Sequence, residues 1–276
     1  MFRRLTYSNI ILIIGLIFLY IPLFILILFS FSASPIINLW GGFTVDWYRA
    51  LWQDSDIISA AIISLKVAIS ASFCATVLGT IIAYTMTSFQ RFRSKSFLYG
   101  MVITPLVLPD IVLGVSLLLM FASVQNLIGW PNRGLITIIM AHITFCTAYV
   151  TIVMQARIAS VDRSIEEAAM DLGARPAKTF LLITLPQIIP SLIASFLLAF
   201  TLSIDDLVIT SFVAGSSDPT LPMYIYSTIK NGPTPEINAL ATVMIAIIST
   251  SVILGVYVLS RIENKRRMTA RKQIKF

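Results

Sequence analysis

Four ionisable side chains fall inside strongly apolar stretches of this sequence: Asp110, His142, Asp205 and Asp206, with the Ser203 hydroxyl just before the pair. An ionisable group at membrane depth is costly, so each is a candidate for a functional pathway. At about 1.5 Å per residue, Asp205 lies about 15 Å from Gly215 and His142 about 12 Å from Gly134, while Asp110 falls near the middle of its run. Three carboxylates with no Lys or Arg at mid-run attract a cation. A cation that sheds its water there finds replacement contacts in carboxylates and aromatic faces. Trp47 belongs to the aromatic group Trp40, Trp47, Tyr48 and Trp52, which reads either as an interfacial belt or as a docking or cation-contacting surface. Other readings stay open. Asp205 or Asp206 can cap a broken helix or bond a neighbouring subunit, and adjacent helical residues point about 100° apart, so both need not face one pore. His142 and Ser203 are weaker candidates, His142 being more often a structural hydrogen-bonding residue.

Other chemistries find no support. Cys74 and Cys146 lie in apolar runs without metal-ligand spacing and read as small buried hydrophobes. One histidine, no metal cluster and no nucleophile–base pairing argue against an enzyme. There is no G-x4-GK-[ST] phosphate loop, so this chain is not expected to bind a cofactor or hydrolyse ATP.

The elements that position these residues follow from composition. The 276 residues are 57% hydrophobic and 12% charged, with a mean hydropathy of +0.89. Soluble domains average about 45–50% apolar and about 25% charged, so the bilayer is the solvent that fits. Six stretches are long enough to span it: 9–31, 57–88, 97–124, 135–156, 188–214 and 239–260. The first exceeds the roughly 7–15 residues of a signal-peptide core and is read as an uncleaved helix. Of the 20 Lys and Arg, sixteen fall in the amino-terminal and alternate segments: Arg3 and Arg4; Arg91, Arg93 and Lys95; Arg157, Arg163, Arg175 and Lys178; and seven from Arg261 to Lys275. Arg49, Lys66, Arg133 and Lys230 are left to the other side. The positive-inside rule therefore predicts both termini in the cytoplasm. It explains the net charge of +7 by anionic lipid headgroups rather than nucleic acid. On the second span, Ala71, Ala75, Gly79 and Ala83 form a small-residue row suited to close helix packing.

The loop 157–187 is the one long connection on the predicted cytoplasmic side. Ser164 and Glu167 read as a capping box that starts a short helix near Ile165. Gly173 reads as its stop and Pro176 as the first turn of a second helix. Pro186 and Pro190 are expected to break the path back into the membrane. Ile165, Ala168, Ala169 and Leu172 give the first helix a narrow apolar face that can enter a groove on another protein.

Glu167-Ala168-Ala169, then Gly173, then Ile183, Leu185 and Pro186, match EAA-x3-G-x9-I-x-LP without departure. The chain thereby resembles the permease subunits of bacterial binding-protein-dependent ABC importers. PLVLPDIVLG at 105–114, HITFCTAYV at 142–150, SIEEAAMDLGA at 164–174, AFTLSIDDLVITSFVAG at 199–215 and PEINALAT at 235–242 are similar to the polyamine branch. The putrescine permeases are favoured by GWP-x-RG at 129–134, and the spermidine permeases share many of these stretches. The resemblance implies an all-α, six-span type I importer permease in the bacterial inner membrane, forming one transmembrane domain. It implies a coupling helix in which Glu167, Ala168, Ala169, Asp171, Leu172, Gly173 and Pro186 serve contact with an ATPase dimer carrying ATP and Mg. It further implies a second permease chain, homologous or identical, and a periplasmic polyamine-binding protein. A proton-coupled secondary transporter using Asp110, Asp205 and His142 is the distant alternative, disfavoured by the lack of an inverted repeat.

Overall fold

The computed structural model describes residues 7–37, 39–89, 92–215, 218–232 and 234–273. Arg3, Arg4, Arg91 and Lys275 of the charge pattern lie outside them. Among the described residues the chain is helical, with a single isolated bridge between Ser32 and Phe43. Six helices are long and apolar enough to cross a membrane: Asn9–Phe29, Ser55–Ser88, Asp110–Ile128, Leu135–Ala159, Pro176–Ile204 and Pro235–Tyr257. The chain divides into two compact units.

The first unit comprises residues 1–59 and 224–250. It holds α1 (Tyr7–Phe29) and α2 (Asp46–Gln53), with the start of α3 (Ser55–Ser88), most of α11 (Leu221–Asn231) and the first part of α12 (Pro235–Gln273). The apolar side chains of α1 are exposed along its length, which water would penalise and lipid does not. Trp47 closes the loop between α1 and α2: its indole N–H donates to the Ser32 carbonyl at 2.7 Å. The Tyr48 hydroxyl meets Ser30 Oγ at 2.7 Å, and Phe31 stacks on Phe43 with centroids 5.4 Å apart. Asp54 Oδ1 accepts from the amides of Asp56 and Ile57 and so caps α3.

The second unit comprises residues 60–223 and 251–276. The predicted third span is two helices here, α4 (Lys95–Val107) and α5 (Asp110–Ile128), separated at Leu108–Pro109. Proline removes an amide donor and disfavours helix in the residue before it, which accounts for the break. Asp110 therefore begins a helix instead of lying midway along one. After α6 (Leu135–Ala159) come α7 (Arg163–Asp171), α8 (Pro176–Thr179), a π turn (Phe180–Thr184), α9 (Leu185–Ile204) and α10 (Val208–Val213). The expected break at Pro186 and Pro190 is absent. Pro186 sits in the first turn of α9, where an amide is not required, and Pro190 is carried inside the helix. The irregularity falls in the π turn ahead of them, where the Leu185 amide bonds back to the Phe180 carbonyl.

The core of this unit is formed by α6 against α9, with α5 and α10 packed on each other. The row on α3 packs as its residue sizes require. Ala71, Ala75 and Ala83 are fully buried, and a Cβ at Gly79 would stand 2.7 Å from the Val150 side chain of α6. With 34 residues, α3 is about 51 Å long against a bilayer core of about 30 Å. Lys66 lies in its first half and is exposed.

Candidate functional site

His142, Ser203, Asp206 and Thr210 come together at the gap between α9 and α10. The α9 helix ends at Ile204 and α10 starts at Val208, so Asp205, Asp206 and Leu207 form a short irregular link. The Asp206 carboxylate caps α10. It accepts from the Thr210 amide at 2.8 Å, from the Thr210 hydroxyl at 2.6 Å and from the Ile209 amide at 3.3 Å. His142 of α6, 1% exposed, fills the space behind it. Its Nδ1 meets Ser203 Oγ at 2.6 Å, and its Nε2 meets Thr210 Oγ1 at 2.9 Å and Asp206 Oδ2 at 3.3 Å. A helix interrupted at membrane depth leaves amides and carbonyls that need partners, and this cluster supplies them from within the protein.

The sequence-predicted pathway residues thus separate into two groups. Asp206 and Ser203, expected on the pathway, are enclosed in the bracing cluster with His142, and Trp47 is engaged in its loop. Asp205 and Asp110 are exposed. Asp110 stands in the first turn of α5, where the helix dipole favours an acidic residue. Thr210 had not been singled out, although a hydroxyl four residues after an aspartate at a helix start is a local capping signal.

Beyond the C-terminal end of α10, a cavity of about 510 Å³ is lined by Arg133, Ser211, Ala214, Gly215 and Met223. The Arg133 guanidinium donates to the Phe212 carbonyl at 2.8 Å and the Thr137 hydroxyl to the Val213 carbonyl at 2.8 Å. These donors satisfy carbonyls that the end of α10 leaves open.

The loop 157–187 forms a second site. Its first helix is capped by Asp162, whose Oδ1 accepts from the Ser164 amide at 3.0 Å. This corrects the expected Ser164–Glu167 capping box: α7 starts at Arg163, and an aspartate reaches the same free amide from two positions upstream. The Ser164 amide holds the Asp162 carboxyl below its ordinary value. A depressed value means that the cap is intact above the ordinary range and is lost as pH falls through the lowered one. The helix ends as expected. Gly173, at φ +86°, donates to the Met170 carbonyl and Ala174 to that of Ala169, a Schellman closure. Pro176 then opens α8.

The α7 helix has two unlike faces. Glu167, Ala168, Asp171 and Leu172 are exposed, Leu172 to 90%, together with Ile165 and Gly173. Arg163, Glu166 and Ala169 are half-buried at three-residue spacing. Ala169, expected on the apolar outer face, lies at the edge turned inward. Glu166 is the first-turn acidic residue that the helix dipole favours, but no sequence signal pointed to its partner. Its carboxylate accepts from the Thr184 hydroxyl, while the Arg163 guanidinium donates to the Thr87 carbonyl of α3.

A membrane helix bundle interrupted at depth, carrying one structured loop with an exposed face, has the fold of a type I ABC importer permease. It superposes on a chain of a bacterial ABC transporter involved in the import of the acidic polysaccharide alginate, with TM-score 0.66 and 18% identity over 91% of this chain and 92% of that one. A chain of the methionine ABC transporter MetNI in an inward facing conformation superposes with TM-score 0.64 and 13% identity, over 77% and 97%. The chain belongs to the family of binding-protein-dependent transport system inner membrane components, whose signature matches residues 75–268. It is 47% identical to the putrescine transport system permease protein PotI of Escherichia coli K12, over 95% of this chain and 94% of that one. It is 40% identical to the spermidine/putrescine transport system permease protein PotC of Haemophilus influenzae, over 86% and 90%.

Proposed function

We propose that this chain is the channel-forming permease subunit of an ATP-driven importer that carries a polyamine, putrescine foremost, across the bacterial inner membrane. The observation that carries the reading is the 47% identity, over 95% of the chain, to a putrescine permease. The site chemistry agrees. Asp110 and Asp205 offer exposed carboxylates at two helix interruptions. A protonated diamine is a flexible dication that gives up hydration on entry, and two separated carboxylates replace that water at both ends. Asp206, Ser203 and His142 hold the second interruption in place from behind.

The chain lacks a phosphate loop, so ATP and Mg act on a separate ATPase dimer that meets Glu167, Ala168, Asp171 and Leu172, with Gly173 ending the helix and Pro186 returning the chain to the membrane. A second homologous permease completes the channel, and a periplasmic polyamine-binding protein delivers the solute. The Lys and Arg distribution puts both termini and α7 in the cytoplasm. Closure of the ATPase dimer on ATP displaces α7 and switches the channel between inward- and outward-facing states.

The test is uptake of radiolabelled putrescine and spermidine by the complex reconstituted with its ATPase and binding protein. ATP-dependent putrescine uptake exceeding that of spermidine is expected. An assembled complex that hydrolyses ATP but takes up neither polyamine defeats the substrate assignment. Uptake that persists without any ATPase defeats the importer itself.

A further inference from the structure

The half-buried face of α7 is tied to two membrane helices through residues that the EAA motif leaves unspecified. Thr184, 1% exposed in the π turn that leads into α9, donates its hydroxyl to Glu166 Oε1. Arg163, one turn earlier, donates to the Thr87 carbonyl in the last turn of α3. Two further contacts brace the same region. Phe180 packs edge-on against Tyr84 of α3 with centroids 4.8 Å apart, and Arg157 at the end of α6 donates to the Gln187 carbonyl of α9 at 3.0 Å.

A helix held only by its flanking turns can swivel when pushed. The turns here, at Ser160–Asp162 and Gly173–Arg175, are short. Two side-chain attachments to different helices remove that freedom. A hydrogen bond to a carboxylate is about twice as strong as a neutral one, and burial of Thr184 keeps water from competing for it.

We propose that Glu166 and Arg163 are force-transmitting positioning residues. They clamp α7 to α9 and α3, so that displacement of α7 by a docked ATPase moves both membrane helices together. This rests on the importer reading above and specifies how the loop acts within it.

The test measures ATP hydrolysis and polyamine uptake in the same vesicles holding the reconstituted complex. In Glu166→Ala and in Thr184→Val the ATPase still co-purifies, and ATP consumed per polyamine imported rises about tenfold, as expected for loss of a hydrogen bond to a charged group. Glu166→Gln keeps the ratio near that of the unsubstituted chain, because the amide oxygen still accepts from Thr184. A contact that served stability alone would lower the yield of the complex in these variants and leave the ratio unchanged, and that result overturns the proposal. If Glu166→Ala fails to assemble, Glu166→Cys with Thr184→Cys joined by a short thiol cross-linker decides the matter. Normal uptake after cross-linking supports a clamp that stays closed through the cycle, and blocked uptake refutes it. An unsubstituted complex without ATP-driven uptake would overturn the importer reading and the clamp with it. Fully coupled variants in an active complex overturn the clamp alone.

Discussion

Asp205 and Asp206 are neighbours with opposite surroundings in the short link between α9 and α10. Asp206 is turned into the protein, where three donors from Ile209 and Thr210 and the His142 ring engage it, while Asp205 is exposed. Substitutions at the two positions should therefore fail differently. Asp206→Ala removes the α10 cap and leaves His142 without its carboxylate, at a cost of about 2 kcal/mol. The thermal unfolding midpoint of the purified complex is expected to fall, and an unchanged midpoint would contradict the bracing role. Asp110→Asn leaves folding intact, since Asp110 is exposed, but removes one carboxylate from the proposed pathway. Polyamine uptake should fall by about tenfold or more, the scale of a lost charge-assisted contact, while the complex still assembles. Normal uptake by this variant removes Asp110 from the pathway.

At the scale of elements, α7 shows how much of a site local chemistry can announce. Gly173 and Pro176 act by backbone rules that hold in any context, and both boundaries lie where the sequence predicts them. The start does not, because Asp162 and Ser164 are both competent caps and the choice between them depends on where the chain leaves α6. The exposed Leu172 makes few contacts to lose, so Leu172→Asp should leave the unfolding midpoint unchanged and abolish co-purification of the ATPase. Retention of the ATPase would place docking elsewhere. The α3–α6 contact is the opposite case. Gly79 lies against Val150, and Gly79→Leu overpacks that contact at about 1–3 kcal/mol. Reduced yield and a lower midpoint are expected, and a fully stable Gly79→Leu variant would show that the two helices separate without penalty.

For the whole molecule, the shared fold says little about cargo. A chain of an importer for an acidic polysaccharide superposes on this one at a TM-score of 0.66, although the cargo proposed here is a cation. Fold and substrate are separate determinations, and the second belongs to particular side chains. Orientation is a property of the whole chain as well, because it depends on the summed charge of alternate loops. A tag after Phe276 should be reached by protease in inverted membrane vesicles and protected in intact spheroplasts. The reverse pattern would move α7 to the opposite side and exclude an ATPase from it.

Hydropathy, the EAA spacing, Gly173 and the Lys and Arg distribution each concern one segment and its solvent, so the sequence by itself determined the membrane class, the six long apolar helices, the structured loop and the family, although the third and fifth spans run over Asp110–Ile128 and Pro176–Ile204 instead of 97–124 and 188–214. Tertiary structure alone decided which polar groups meet. His142 lies 61 positions from Ser203 and 68 from Thr210, and Arg163 lies 76 from Thr87. Spacing along a helix cannot select such partners among the many hydroxyls and carbonyls available. Packing selects them, because each group buried at a helix interruption must find its donor or acceptor within the protein. For the same reason Asp110, Asp205 and Asp206 look alike in sequence, yet only the last is enclosed.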